Sequence, residues 1–204
     1  MKSANYGIDG PIVLCNLLIA GAASIGLGII FYYQIIPVQA GVGSILAKLF
    51  LFIAVFSLVC LLLSIWSSKI GKIVEAKHIL DSYDWKGDET VLDVGCGRGL
   101  MLIFAAKRLV TGKAVGVDIW DSRDLSDNRP EMIIKNAQVK DVADRVHISN
   151  SDARKLPFGD NTFDAVLSCK VFHNITNREE RKKTIQEIGR VLKPGGWLGI
   201  IDSF

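Results

Sequence analysis

Cysteine is scarce. The four residues stand at 15, 60, 96 and 169, with no C-x-x-C pair and no cluster around the histidines at 78, 147 and 173. Such a set builds neither a disulfide framework nor a metal site, and points to reduced thiols in a cytosolic setting. An excess of one charge is also missing. Twenty-four basic residues face 21 acidic ones, and a net charge of +3 gives no argument for a nucleic-acid partner. There is no internal repeat and no low-complexity linker, so nothing suggests a loosely tethered half. The most informative shortage is local. Ile12 to Ile36 holds no charged residue, and Val42 to Trp66 holds only Lys48.

Each of those runs is long enough for a bilayer-spanning helix, which needs roughly 20 apolar residues. Pro37-Val38-Gln39-Ala40-Gly41 joins them as a short uncharged turn, so the expectation is a helical hairpin. Lys48 lies close to the start of the second run, where its stem reaches the interface. Tyr32, Tyr33 and Trp66 sit near run ends as interfacial aromatics do. Ala20, Ser24 and Gly28 recur every four residues and predict a small-residue seam, facing the second helix or another copy of the chain. Two other readings compete. A signal peptide cleaved near Ala40 would carry a shorter apolar run and no Asp9, and core helices of a soluble domain are seldom apolar for so long. Lys69, Lys72 and Lys77 follow the second run and Lys2 precedes the first, while the joining turn has no basic residue. The positive-inside rule then places both ends in the cytoplasm. The expected organisation is a membrane anchor over 1–68 and a cytoplasmic domain over 69–204, held close to the bilayer by a helix from Ser67 to Tyr83.

From Val91 the pattern alternates. Strands are expected at Val91–Val94, Ala114–Asp118, Arg145–Ser149, Phe163–Ser168 and Trp197–Ile201. Helices are expected at Leu100–Val110, Ser126–Val139 and Thr176–Leu192. That alternation predicts an α/β, Rossmann-like parallel sheet with helices on both faces. Ligands of such sheets sit at the carboxyl ends of the strands.

Val91-Leu92-Asp93-Val94-Gly95-Cys96-Gly97-Arg98-Gly99 runs from a strand through alternate glycines into a helix. The turn gathers backbone N–H groups and a helix N-terminus, a setting for a polar or anionic ligand. A dinucleotide fingerprint, G-x-G-x-x-G, would need glycine at Leu100, which disfavours a nicotinamide-dependent oxidoreductase. Asp118 ends the second strand 23 residues after Gly95, where an acid accepts ribose hydroxyls.

The glycine turn resembles motif I of the class I S-adenosylmethionine-dependent methyltransferases, D/E-x-G-x-G-x-G. Asp152-Ala153-Arg154-Lys155-Leu156-Pro157-Phe158 is similar to the family's D-A-x-x-L-P-F stretch. Leu192-Lys193-Pro194-Gly195-Gly196 matches its L-K-P-G-G turn. These motifs cover residues 91–201 in the family's order. The resemblance implies S-adenosyl-L-methionine as cofactor. It would be held by Asp93, Gly95, Cys96, Gly97 and Gly99 at its amino-acid end, and by Asp118 at the ribose. Ile119, Asp152 and Ala153 would meet the adenine, and Ser168 closes the fourth strand. It also brings to mind small-molecule and quinone-biosynthesis members. The fourth strand lacks the N/D-P-P-Y/F sequence of amide- and amine-methylating members.

Catalytic residues are less marked. His173 is the best candidate for a general base, because histidine changes charge nearest neutrality, although a structural or substrate-shaping role is the favoured reading of its V-F-H-N-I loop. Cys169 reads as a small buried thiol. The family's strands six and seven are not found before Phe204, which leaves the fifth strand as an uncovered edge and three explanations: a truncated product, edge pairing between copies, or a shortened domain that tolerates the loss. The expected function is methyl transfer to a small-molecule or lipid-like acceptor at the cytoplasmic membrane face. The alternative is a membrane-anchored cofactor-binding module without activity.

Overall fold

The computed structural model describes residues 4–121 and 123–202. They form two units: residues 8–69, and residues 4–7 together with 70–202.

The first unit is a pair of helices, α1 (Pro11–Tyr32) and α2 (Ala40–Trp66). Gly10 in the left-handed region and Pro11 at the first helical position start α1. It ends four residues before the predicted limit, because Gln34 turns to φ 52° and Ile35 N–H reaches back to Ile30 O. Leu14, Leu17, Gly21, Ser24, Gly28 and Phe31 are the less exposed positions of α1, spaced three and four apart. Gly43, Ala54, Ser57 and Leu61 are their buried counterparts on α2. Gly21 lies against Ser57 and Gly28 against Phe50, while Phe31 and Phe50 stack at 5.7 Å. The predicted seam is therefore corrected by one residue. Ala20 is exposed, because facing helices keep a seam that averages 3.5 residues, and a strict spacing of four rotates off it. Asp9 N–H donates to Ser68 Oγ at 3.2 Å, so the two ends of the hairpin lie side by side.

A π-helical turn, Ser67–Gly71, leads into α3 (Lys72–Asp81). Five strands follow: β1 (Thr90–Val94), β2 (Lys113–Asp118), β3 (Val146–Asn150), β4 (Phe163–Cys169) and β5 (Leu192–Ile201). Every pairing is parallel and the order is β3-β2-β1-β4-β5. The order reverses between β1 and β4, which makes their carboxyl ends the ligand position of this architecture. The connecting helices are α4 (Leu100–Ala106), α5 (Pro130–Val139) and α6 (Arg178–Val191). α5 begins at Pro130 rather than Ser126, since proline fits the first position of a helix. α6 begins after Asn177, whose side chain accepts Glu179 N–H at 2.8 Å. The L-K-P-G-G segment lies within β5 as an irregular stretch, with Gly195 at φ 77°.

Side chains alternate between the two faces of the sheet. Val91, Ala114, Ala165 and Leu167 pack with α3, α4 and α5, while Leu92, Val94, Val117 and Val166 pack with α6. That is the predicted Rossmann-like α/β sheet with helices on both faces.

The sequence pattern expects residues 1–68 to form one anchor, and the structure divides them differently. Residues 4–7, assigned there to the anchor, pack in the α/β unit. Tyr6 is 8% exposed and meets Phe104 edge-on at 5.8 Å. Lys72, counted above as an orientation signal, is buried instead, and its ammonium donates to Tyr6 O at 2.9 Å and Gly7 O at 3.1 Å.

Candidate functional site

The glycine turn closes over the end of β1. Gly95, Gly97 and Gly99 sit at φ 71°, 52° and 82°. A side chain at Gly95 is excluded twice, by that backbone and because its Cβ would lie 2.1 Å from a methyl of Val171. Asp93 is buried beneath the turn. Its Oδ2 accepts Leu102 N–H at 2.9 Å, while Oδ1 has no partner among the described residues. Burial pushes its carboxyl up to about 7, and the nearby Asp118 charge adds to that. Cys96 is buried as well, packed on Gly116, and burial raises its thiol well above the ordinary value. It is an inert thiol here.

Asp118 closes β2 beside this turn. Its Oδ2 accepts Gly97 N–H at 2.7 Å and its Oδ1 accepts Trp120 N–H at 2.6 Å. Burial raises its pKa, and those backbone bonds oppose the rise. Trp120 donates from its indole to Gly97 O at 3.2 Å, so the residue after Ile119 also grips the glycine turn. Ile119 itself is 61% exposed. The segment between β2 and α5 adds Asp124, whose carboxyl is raised chiefly by burial and senses both His173 and Asp118. Nothing in the sequence pattern singles out Asp124 or Trp120.

Asp152 and Ala153 leave β3 next to Asp118, whose carbonyl accepts Ser151 N–H at 3.2 Å. The Asp152 carboxylate is held by Arg154, which also reaches Glu180 on α6 at 2.7 Å. The guanidinium bonds to Asp152 lower its pKa. Arg190 and Glu187 fix the rest of this segment through Leu156 and Phe158 backbone groups. α6 thus acts as a clamp on the 152–158 loop, a role the motif alone does not reveal.

Ser168 lies near the end of β4, fully buried, with an Oγ that has no partner among the described residues. Beyond it, Val171 covers Gly95 and a 3-10 turn, Phe172–Asn174, presents His173. His173 Nδ1 lies 2.9 Å from Asp202 Oδ1, and the other Asp202 oxygen accepts Phe172 N–H at 2.7 Å. The Asp202 side chain is fully buried and that of His173 is 38% exposed. An open cleft of about 470 Å³ between α3 and β5 includes His78, Ile79, Ile200 and Asp202. Asp202 was not among the expected residues. Its signal is weak, a single acid just past an apolar strand.

The structure therefore gathers Asp93, the three glycines, Cys96 and Asp118 at the switch point, with Ser168 and His173 at the end of the neighbouring strand. Asp152 and Ala153 stand on the far side of Asp118. Asp93 Oδ1 and Ser168 Oγ, two of the buried oxygens that have no partner among the described residues, fit a polar ligand that carries donors.

The family described as "Methyltransferase domain" matches residues 92–200. Over 107 residues the chain is 37% identical to a demethylmenaquinone methyltransferase of Symbiobacterium thermophilum, covering 52% of this chain and 39% of that protein. Among solved structures, an S-adenosylmethionine-dependent methyltransferase from Aquifex aeolicus superposes with a TM-score of 0.51 at 27% identity, over 62% of this chain and 63% of that one. The [4+2]-cyclase SpnF superposes with a TM-score of 0.53 at 28% identity, over 63% of this chain and 43% of that one. The chain spans less than half the length of the curated relatives it matches. With the family's match running from the middle of β1 to the end of β5, the chain belongs to the class I methyltransferase domain family.

Proposed function

We propose that this chain binds S-adenosyl-L-methionine at the switch point and transfers its methyl group to a small, lipid-like acceptor at the cytoplasmic face of a membrane. The observation that carries the reading is Asp93 Oδ1, a buried carboxylate oxygen under the glycine turn with no partner among the described residues. Leaving such an atom bare costs about 1–3 kcal/mol, and a ligand ammonium removes that cost. The bound cofactor supplies a methyl group on a sulfonium, already activated for displacement.

The chain's own residues hold and orient. Asp93 and the glycine turn take the amino-acid end, Asp118 the ribose, and Asp152 with Ala153 the adenine. Asp118 gives up part of its bonding to Gly97 and Trp120 when it takes ribose hydroxyls, and Asp152 exchanges part of its grip on Arg154 for an amine. Asp202 fixes the His173 ring. With Nδ1–H donating to Asp202 Oδ1, Nε2 is left as an acceptor for the proton that an acceptor hydroxyl or carbon acid loses.

Three observations support the membrane setting. α1 and α2 expose large apolar side chains on the faces away from their seam. Asp9 and Ser68 bring both hairpin ends together, so both leave on one side. The Symbiobacterium relative is named for demethylmenaquinone, a lipid-soluble acceptor class. The β5 edge and the exposed hairpin faces are where a second copy would pair.

A second reading keeps cofactor binding without methyl transfer, and the likeness to a cyclase favours keeping it in view. The deciding experiment offers labelled S-adenosylmethionine and a membrane lipid extract to the full chain. Label should appear in the lipid fraction, and His173→Ala should lower turnover by about 10²–10⁴-fold with S-adenosylhomocysteine affinity unchanged. Tight cofactor binding with no label transferred to any extract would select the second reading.

A further inference from the structure

We propose that residues 4–7 form a strap that holds the glycine turn in its ligand-binding shape, with Asn136 as the positioning residue that joins the two. The inference rests on the reading that the glycine turn holds S-adenosylmethionine.

Asn136 lies on α5 and is 2% exposed. Its Oδ1 accepts Asn5 N–H at 3.0 Å. Its Nδ2 donates to Asn5 O at 2.9 Å and to Arg98 O at 3.0 Å. One side-chain amide therefore spends its acceptor and both donors on two backbone segments. One is the strap. The other is the residue between Gly97 and Gly99.

A second link is steric. Gly7 sits at φ +78°, and a Cβ there would lie 2.8 Å from Leu125 Cδ1 and 2.9 Å from Arg98 Cδ. Leu125 is in turn 3.1 Å from the corresponding position at Gly97. A side chain at Gly7 would therefore meet both Arg98, within the turn, and Leu125, which lies over Gly97. Arg98 cannot move freely in response, since its Nη1 donates to Ser126 O at 2.9 Å.

The strap is itself held from the other side. Tyr6 is buried against Phe104, Lys72 donates to the Tyr6 and Gly7 carbonyls, and Asn5 Oδ1 accepts Gly7 N–H at 3.0 Å. A hydrophobic plug would need only Tyr6. Three hydrogen bonds of the Asn136 amide, two to the strap and one to the turn, with a glycine beside Arg98, set the turn's position as well as its burial. The strap is cut off from the rest of its unit by the whole hairpin, so a domain begun after residue 69 lacks it.

Coupling of this kind is reciprocal: if the strap holds the turn for ligand, ligand holds the strap. The test is hydrogen exchange on the full chain in detergent micelles, with and without S-adenosylhomocysteine. Residues 5–7 should exchange about tenfold more slowly with ligand, alongside the turn. Protection of 95–99 with no change at 5–7 overturns the strap while leaving the cofactor reading intact. No protection at either place overturns both. In parallel, Gly7→Val and Asn136→Ala should each raise the dissociation constant about tenfold while the folded fraction stays unchanged. Unaltered affinity in both variants contradicts the inference.

Discussion

The two units of this chain obey one packing rule in opposite ways. In the α/β unit the buried side chains are large and apolar, and Leu92, Leu102, Ile103 and Ile133 are fully enclosed. In the hairpin the buried positions include Ser24, Ser57 and Ala54, whereas Ile19 and Phe52 are 68% and 67% exposed. What differs is where the apolar bulk goes. Water drives it inward in the first unit. In the second, small residues line the seam between the two helices, and the bulk faces outward.

The largest effect that tests this contrast comes from a matched pair of truncations. Leu92→Ala should destabilise the α/β unit by about 2–5 kcal/mol, read from denaturant unfolding of the full chain in micelles. Leu62→Ala, at a residue 58% exposed on α2, should cost well under that. Equal losses would show that the hairpin packs as a soluble core does. Next in size is Asp118→Ala, which removes the acceptor of Gly97 N–H and the proposed ribose contact together. Calorimetry should show affinity for S-adenosylhomocysteine lowered by about 100-fold, the loss of two charge-assisted bonds. A change below threefold would misplace the ribose site.

A smaller effect concerns pH. The Asp93 carboxyl is raised to about 7 by burial, against about 3.9 in an unfolded chain. Its contribution to stability is then full below about pH 4 and is lost as pH rises through about 7. Ligand binding runs the other way, since a cationic amine favours the ionised carboxylate. Affinity for S-adenosylhomocysteine should rise between pH 6 and 8, and Asp93→Asn should flatten the rise. An unchanged slope in that variant would assign the pH dependence to another group. Smallest of all is Ser57→Ala in the hairpin seam, expected to shift stability by less than about 1 kcal/mol, because a small residue replaces a small residue.

Much of the α/β unit was legible because its signals are local. Apolar strands alternating with helices marked the sheet, the glycine spacing marked the turn, and the glycine and D-A-x-x-L-P-F motifs fell at strand ends, whereas L-K-P-G-G proved to lie within β5. Boundaries moved where backbone chemistry outweighed periodicity, as at Pro130 and Gln34. The pairs that complete the site were not legible, because they join distant residues with no spacing rule: His173 with Asp202, Arg154 with Asp152 and Glu180, and Asn136 with Asn5. The strap was hidden most fully. Ala4-Asn5-Tyr6-Gly7 has no pattern of its own, and its burial depends on partners beyond the whole hairpin.

The central claim is that the switch point with Asp93 beneath its glycine turn holds S-adenosylmethionine. Isothermal titration of the folded full chain in micelles with S-adenosylhomocysteine tests it directly. The account predicts one site per chain, weakened by about 100-fold in Asp118→Ala. A folded chain that gives no binding heat at any temperature, and no ligand-dependent shift in its unfolding midpoint, would contradict it.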